Sequence, residues 1–304
     1  MTVLPPQVNF MRVLRAALLL VPIALLSLAT GCSTQAMGEP HPAKSNWTSS
    51  FLSHVLAGQT VPDGVNNWAC RPAHGQGVVV LVHGTFSNTM YSFGALGPAL
   101  ANTGMCVYSL DYGASADTWF KGLNAVDQSA AEIAEFVRSV KGATGVQRVT
   151  LVGHSQGGLL GFYYIKMLGG HLDVAHFVAL APSVGGTVIS KTPNREAVDY
   201  CTACADQHPD SELLKRLRNG PITVPTVKYT VVATKNDKVV LPVESQFVRE
   251  PGVRNLYIQD FLPNSRVSHS GMLYNEDSLG LIVDLVSAKQ ADHIPAQTRA
   301  ASGK

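Results

Sequence analysis

The stretch RVTLVGHSQGGLLGFYYIKM, Arg148 to Met167, decides the fold. Its first part, RVTLVGHS, is a short and mostly apolar run, the pattern of a strand buried on both faces. Its second part, GGLLGFYYIKM, reads as a helix. At the junction stands Ser155, with Gly153 and Gly157 two residues away on either side and Gly158 next. A strand that turns sharply into a helix while presenting one side chain outward strains the backbone there. Neighbours two positions away must then lack a Cβ, or they collide. Gly-x-Ser-x-Gly between a strand and a helix is the nucleophile elbow, a bend that lifts one hydroxyl into the open. A plain turn serine is the bland alternative, and it explains neither the strand before nor the helix after.

The same two periods recur outward from this junction. GVVVLVHG (77–84), MCVYSLDYG (105–113), VAHFVALAP (174–182), TVKYTVVATKND (226–237) and RNLYIQDF (254–261) all read as strands. In NAVDQSAAEIAEFVRSVKGATG, Val126, Ala130, Ile133, Val137 and Val140 recur at three- and four-residue steps, so a helix is expected, with Gly142 as its stop. HSGMLYNEDSLGLIVDLVSAK reads as the last helix. Alternating strands and helices imply right-handed crossovers and an α/β fold with a mostly parallel central sheet flanked by helices. Residues 183–225 break the rhythm and are expected to be a small cap insertion.

A serine hydroxyl needs a base to take its proton, and the base needs an orienting carboxylate. For an elbow serine the acid and then the histidine follow along the chain. Asp237 lies just beyond a late strand; Asp173 and Asp206 do not stand in that order, and Asp260 is the alternate. His269, between the last strand and the last helix, is the expected base, since His293 falls in a tail-like segment. Negative charge on the attacked oxygen calls for backbone donors. One is expected at Gln156, the residue after the serine. The other belongs to the loop LVHGTFSN, where Thr85 offers its N–H and its hydroxyl, with Phe86 beside it. His83 reads as a structural loop histidine.

The 304 residues can bury a substantial core, and 46% are apolar against 14% charged, which argues for a globular body. A net charge of +2, with no basic stripe interleaved with aromatics, gives no support to nucleic-acid binding. The beginning of the chain differs. Arg12 and Arg15 precede an apolar run from Ala16 to Ala29 and then Thr30-Gly31-Cys32, the plan of an export signal. The run is short of the roughly 20 residues a membrane span needs. ATGC resembles a bacterial lipobox, in which Cys32 would carry lipid and anchor the protein to the membrane, although Ala29 stands where a large aliphatic residue is usual. Plain secretion is the alternative, and both mean export. Cys70, Cys106, Cys201 and Cys204 then remain, an even number suited to an oxidising compartment. Pairing Cys70 with Cys106 would tie down the start of the sheet. Cys201-x-x-Cys204 is expected to be a structural disulfide, because a metal or redox site there lacks a second ligand pair or a thioredoxin-like context.

LVHGTF, LDYG, LVGHSQGG, CTAC, YTVVATKNDKVVLP and SHSGML, in this order, resemble the secreted bacterial triacylglycerol lipases and esterases of the α/β-hydrolase superfamily, from about Trp68 to about Val286. The resemblance implies an α/β-hydrolase fold, with Ser155 as nucleophile, Asp237 as acid, His269 as base, and Thr85 and Gln156 forming the oxyanion hole. It departs at QDFLP, where relatives often carry another cysteine. The expected organisation is an export signal at 1–31, a tether and irregular segment at 32–66, a catalytic domain at 67–288 carrying the cap, and a disordered tail at 289–304. The expected activity is hydrolysis of acylglycerols or other lipid esters through an acyl-enzyme, by a monomer requiring no cofactor or metal. The polar character of 183–225 leaves short- and medium-chain esters as open as long-chain triacylglycerol. A cell-envelope acyltransferase would use the same residues, and a lipid-binding surface protein on an inactive scaffold would be expected to lack one of them.

Overall fold

The computed structural model describes residues 39–73, 76–114, 118–187 and 200–287. The expected export signal, Cys32, the expected tail and residues 188–199 of the expected cap insertion lie outside them.

Six parallel strands form one sheet: β1 (Val78–Val82), β2 (Cys106–Ser109), β3 (Val149–His154), β4 (Val174–Leu180), β5 (Lys228–Ala233) and β6 (Val253–Tyr257), in the order β2-β1-β3-β4-β5-β6. Five lie within runs the sequence marks as strands, and β6 begins at Val253, one residue before its expected run. The apolar character of β1 to β5 has a simple cause, since both faces are covered, whereas the edge strand β6 is mostly half-buried. Val78, Val80 and Val82 face one core and Val79 and Leu81 the other.

Among the described residues the α-helices, in chain order, are α1 (Trp47–Ala57), α2 (Thr89–Phe93), α3 (Leu96–Ala101), α4 (Val126–Thr144), α5 (Gln156–Met167), α6 (Thr202–Asp206), α7 (Glu212–Leu217) and α8 (Glu276–Val286). On one face Ile133, Val137 and Val140 of α4 meet Leu159, Leu160 and Phe162 of α5 over the sheet. On the other, Leu96 and Leu100 of α3 meet Ile282 and Leu285 of α8.

Three local expectations are corrected. The segment expected to be irregular contains α1, whose start is fixed by a reciprocal cap between Asn46 and Ser49. Trp47 and Phe51 stack on each other, and both lie against Tyr91 of α2. Gly142 does not stop α4; the helix runs on to Thr144, and Gly145 ends it in the left-handed conformation (φ 75°). The last helix begins at Glu276 behind the Asn275 cap, not near His269. Both expected disulfides are formed, Cys70–Cys106 across 36 residues and Cys201–Cys204 across 3.

A parallel sheet brings the carboxyl ends of all its strands to one edge. After β1 the chain moves outward to β2 and then crosses back to β3 on the other side, so a crevice opens between the ends of β1 and β3. The loop carrying Thr85 leaves β1 there, and Ser155 leaves β3 there.

Candidate active site

Ser155 sits between β3 and α5 with φ 56° and ψ −120°, a conformation costly for any residue with a side chain. The surrounding glycines make it possible. A Cβ on Gly153 would lie 2.2 Å from the Gly157 carbonyl oxygen, and one on Gly157 would lie 2.1 Å from the Val82 carbonyl oxygen. Gly158 would strike Pro182 at 2.4 Å. The turn is therefore packed against the neighbouring strand, and Gln156 opens α5. Its N–H, in the first turn, has no acceptor within the helix, and the positive end of the helix dipole faces the serine.

A cleft of about 290 Å³ lies over this turn. Gly84, Thr85, Phe86, Ser155, Gln207 and His269 are among the residues around it, and Trp47, Tyr91, Val239, Val240 and Leu273 give it an apolar side.

Asp237 and His269, 32 residues apart, meet at this edge with His269 Nδ1 2.7 Å from Asp237 Oδ2. Asp237 is 2% exposed. Burial alone would push its carboxyl up, but the His269 hydrogen bond and charge, with the N–H groups of Val239 and Val240, hold it below the usual carboxylate range. It is thus an ionised acceptor, and His269 donates Nδ1–H to it. Gln246 Nε2 donates to the same oxygen at 2.9 Å. The other imidazole nitrogen, Nε2, is left as the ring's base. Ser155 and His269 share the cleft, and among the described residues no hydrogen bond joins their side chains.

Behind His269 lies His154, its ring centroid 4.7 Å from that of His269. Its Nε2 donates to the His269 main-chain oxygen at 3.0 Å, since a carbonyl can only accept. Burial, then the neighbouring His269, lower its pKa to about 3, so the ring is neutral.

The competing side chains are engaged elsewhere. Asp173 pairs with Lys141 and accepts from Tyr164, Asp206 accepts the Val126 N–H at 2.8 Å, and Asp260 accepts the Tyr257 N–H at 2.8 Å. His83 is fully buried and stacks on Tyr112, whose hydroxyl donates to the His83 carbonyl. Phe86 has φ 52°, a strained position next to Thr85. Sequence reasoning missed His154, Gln246, Gln207 and Trp47. Only the first carried a signal, being the residue before the elbow serine. Among the described residues, no group of three or more His, Cys, Asp or Glu side chains gathers as a metal site would require.

Comparison with known proteins agrees with this architecture. Residues 77–190 match the family model described as the alpha/beta hydrolase fold. The structure is similar to that of Aspergillus fumigatus lipase B, at 23% identity and TM-score 0.60, covering 75% of this chain and 55% of that one. The chain thus spans little more than half of that lipase. It is also similar to the Bacillus licheniformis lipase BlEst2 in mature form, at 13% identity and TM-score 0.52, covering 71% and 94%. A third likeness is to a structure of the metagenome-derived lipolytic enzymes LipS and LipT, at 15% identity and TM-score 0.50, covering 74% and 96%. The parallel sheet, its strand order and the elbow define an α/β-hydrolase fold.

Proposed function

We propose that this protein is a serine-dependent carboxylic ester hydrolase of the lipase and esterase type, acting on acylglycerols or other lipid esters. The observation that carries the reading is the placement of Ser155, in a strained turn, at the same cleft as an imidazole held by a buried carboxylate. His269 Nε2 takes the Ser155 proton as the hydroxyl oxygen attacks the ester carbonyl. The imidazolium that forms is stabilised by Asp237, which keeps its negative charge. Charge on the carbonyl oxygen is received by the main-chain N–H of Gln156 and by Thr85, at the positive end of α5. His269 then returns the proton to the departing alcohol, leaving an acyl group on Ser155. Water, deprotonated by the same imidazole, attacks the acyl carbonyl; the bond to Ser155 Oγ breaks, Oγ takes the proton back from His269, and the acid is released.

The similar structures described as lipases or lipolytic enzymes support this substrate class. The cleft volume of about 290 Å³ favours a short or medium acyl chain lying against Trp47, Tyr91 and Leu273. Two disulfides are consistent with an oxidising, extracytoplasmic location, and export with a lipid anchor at Cys32 is part of the proposal.

The test is turnover of p-nitrophenyl esters of graded chain length by the wild type and by Ser155→Ala. A loss of about 10³-fold or more in kcat is expected for removal of the nucleophile. Equal rates in the two proteins would overturn the reading.

A further inference from the structure

Gln207 closes α6, in the part of the cap that follows the Cys201–Cys204 disulfide, yet its side chain reaches the loop after β1. It is 1% exposed and borders the cleft beside Thr85. Its hydrogen bonds leave one orientation of the amide. Nε2 lies 3.1 Å from the Ala203 carbonyl oxygen, which can only accept, so the NH2 end must face that way. Oε1 accepts from the hydroxyl of Ser183, itself fully buried, at 2.8 Å. One N–H is spent on Ala203, and the second reaches Thr85 Oγ1 at 2.9 Å. Both hydrogens of the amide then have acceptors.

The consequence falls on Thr85. Its hydroxyl oxygen accepts from Gln207, so its own hydrogen cannot point back along that bond. Among the described residues, no hydrogen bond has Thr85 Oγ1 as its donor.

We infer that Gln207 is a positioning residue: it occupies the acceptor side of the Thr85 hydroxyl and leaves that O–H to be donated into the cleft, making the cap a working part of the oxyanion hole. The inference rests on the ester-hydrolase reading above. A donor fixed in advance toward the developing charge stabilises the transition state more than a hydroxyl that must first turn away from another partner. Gln207 itself touches no reacting atom in this account; it acts through Thr85. The developing oxyanion gains the most from this donor, so kcat carries the effect and KM changes little.

The experiment is a cycle of variants assayed on p-nitrophenyl butyrate: Gln207→Met, Thr85→Val, the double variant, and Gln207→Glu. Loss of one oxyanion donor lowers kcat by roughly 10²–10³-fold. Thr85→Val is expected to approach that range, and Gln207→Met to lose about tenfold or more with KM within about threefold. In the Thr85→Val background Gln207→Met should add nothing. Gln207→Glu matches the native shape but offers a carboxylate that captures the Thr85 hydrogen. Its kcat should therefore fall at least as far as that of Gln207→Met, an order that a purely space-filling role would reverse. If Gln207→Met does not fold, the comparison of Gln207→Glu with Thr85→Val decides. Wild-type kcat in either folded Gln207 variant, or a Gln207→Met loss of equal size with and without the Thr85 hydroxyl, would overturn the inference. Ser155→Ala in the same assay separates the two levels: if it retains full activity, the ester-hydrolase reading fails, whereas an inactive Ser155→Ala leaves the Gln207 result to stand or fall alone.

Discussion

His154 Nε2 donates to the main-chain oxygen of His269 at 3.0 Å, so the residue before the elbow serine holds the backbone of the residue carrying the imidazole. The bond spans 115 positions in sequence and joins the end of β3 to the loop before α8. His154→Leu removes the donor and is expected to cost about 1–3 kcal/mol of stability. On the proposed mechanism the loop carrying the imidazole also loses this tether, so kcat should drop in a variant that remains folded at assay temperature. Urea unfolding and steady-state kinetics on one preparation would measure both. A variant with lowered stability and unaltered kcat would show that the bond serves the fold alone.

The elbow glycines differ sharply from those in open helices. A Cβ at Gly153 or Gly157 would lie 2.2 or 2.1 Å from a main-chain oxygen, so Gly153→Ala and Gly157→Ala should each destabilise by more than about 4 kcal/mol or prevent folding. Gly142 in α4 and Gly280 in α8 have nothing within 4 Å of an added Cβ. Gly142→Ala and Gly280→Ala should stabilise by about 0.4–1 kcal/mol through the lower entropy of the unfolded chain. Denaturation midpoints of the four variants test the contrast directly.

Trp47 forms one flank of the cleft from α1 and is held there by Phe51 and Tyr91. Trp47→Ala should open that flank and move the preference toward longer acyl chains. A methylene of fit in an apolar pocket is worth about 10–200-fold in kcat/KM, so the ratio of long- to short-chain turnover should rise by about tenfold or more. An unchanged chain-length profile would remove Trp47 from acyl recognition.

Acid should weaken the fold through its buried imidazoles. Burial lowers the pKa of His154 to about 3 and that of His176 to about 4, the latter helped by Lys228 and Arg254. In the unfolded chain both take a proton near pH 6.5. The unfolded state therefore binds more protons between those values, and stability, full above about pH 6.5, declines as pH falls toward 4 and then 3. Asp237, held below the usual carboxylate range, adds its loss only below about pH 3.9. In His176→Gln the slope of Tm against pH between 6.5 and 4 should be shallower than in the wild type. A slope equal to that of the wild type would mean that His176 is not the group responsible.

The sheet was legible because β1 to β5 are largely buried on both faces and so read as apolar runs bounded by turn residues, as GVVVLVHG does for β1; the edge strand β6 is mostly half-buried. The elbow was legible because steric exclusion leaves a written trace, the glycines on either side of Ser155. Asp237 and His269 could be placed because each follows a strand, in an order the chain itself displays. Other features left no such trace. Helix α1 is 11 residues long and is held by aromatic contacts to Tyr91, some 40 positions away, which no local period records. Gly142 and Gly145 are equally plausible as stops in sequence, and only the backbone angle at Gly145 distinguishes them. Gln207 and Gln246 were invisible because a side-chain amide has no characteristic spacing from the hydroxyl or carboxylate it serves.

Helix α1 lies outside the segment that matches the family model, residues 77–190, and contributes none of Ser155, Asp237 and His269. On the ester-hydrolase reading proposed above, replacing α1 would alter the Trp47 bank of the cleft and leave those three side chains in place. Selectivity and reactivity would then be separable, the first open to change by exchanging residues upstream of β1.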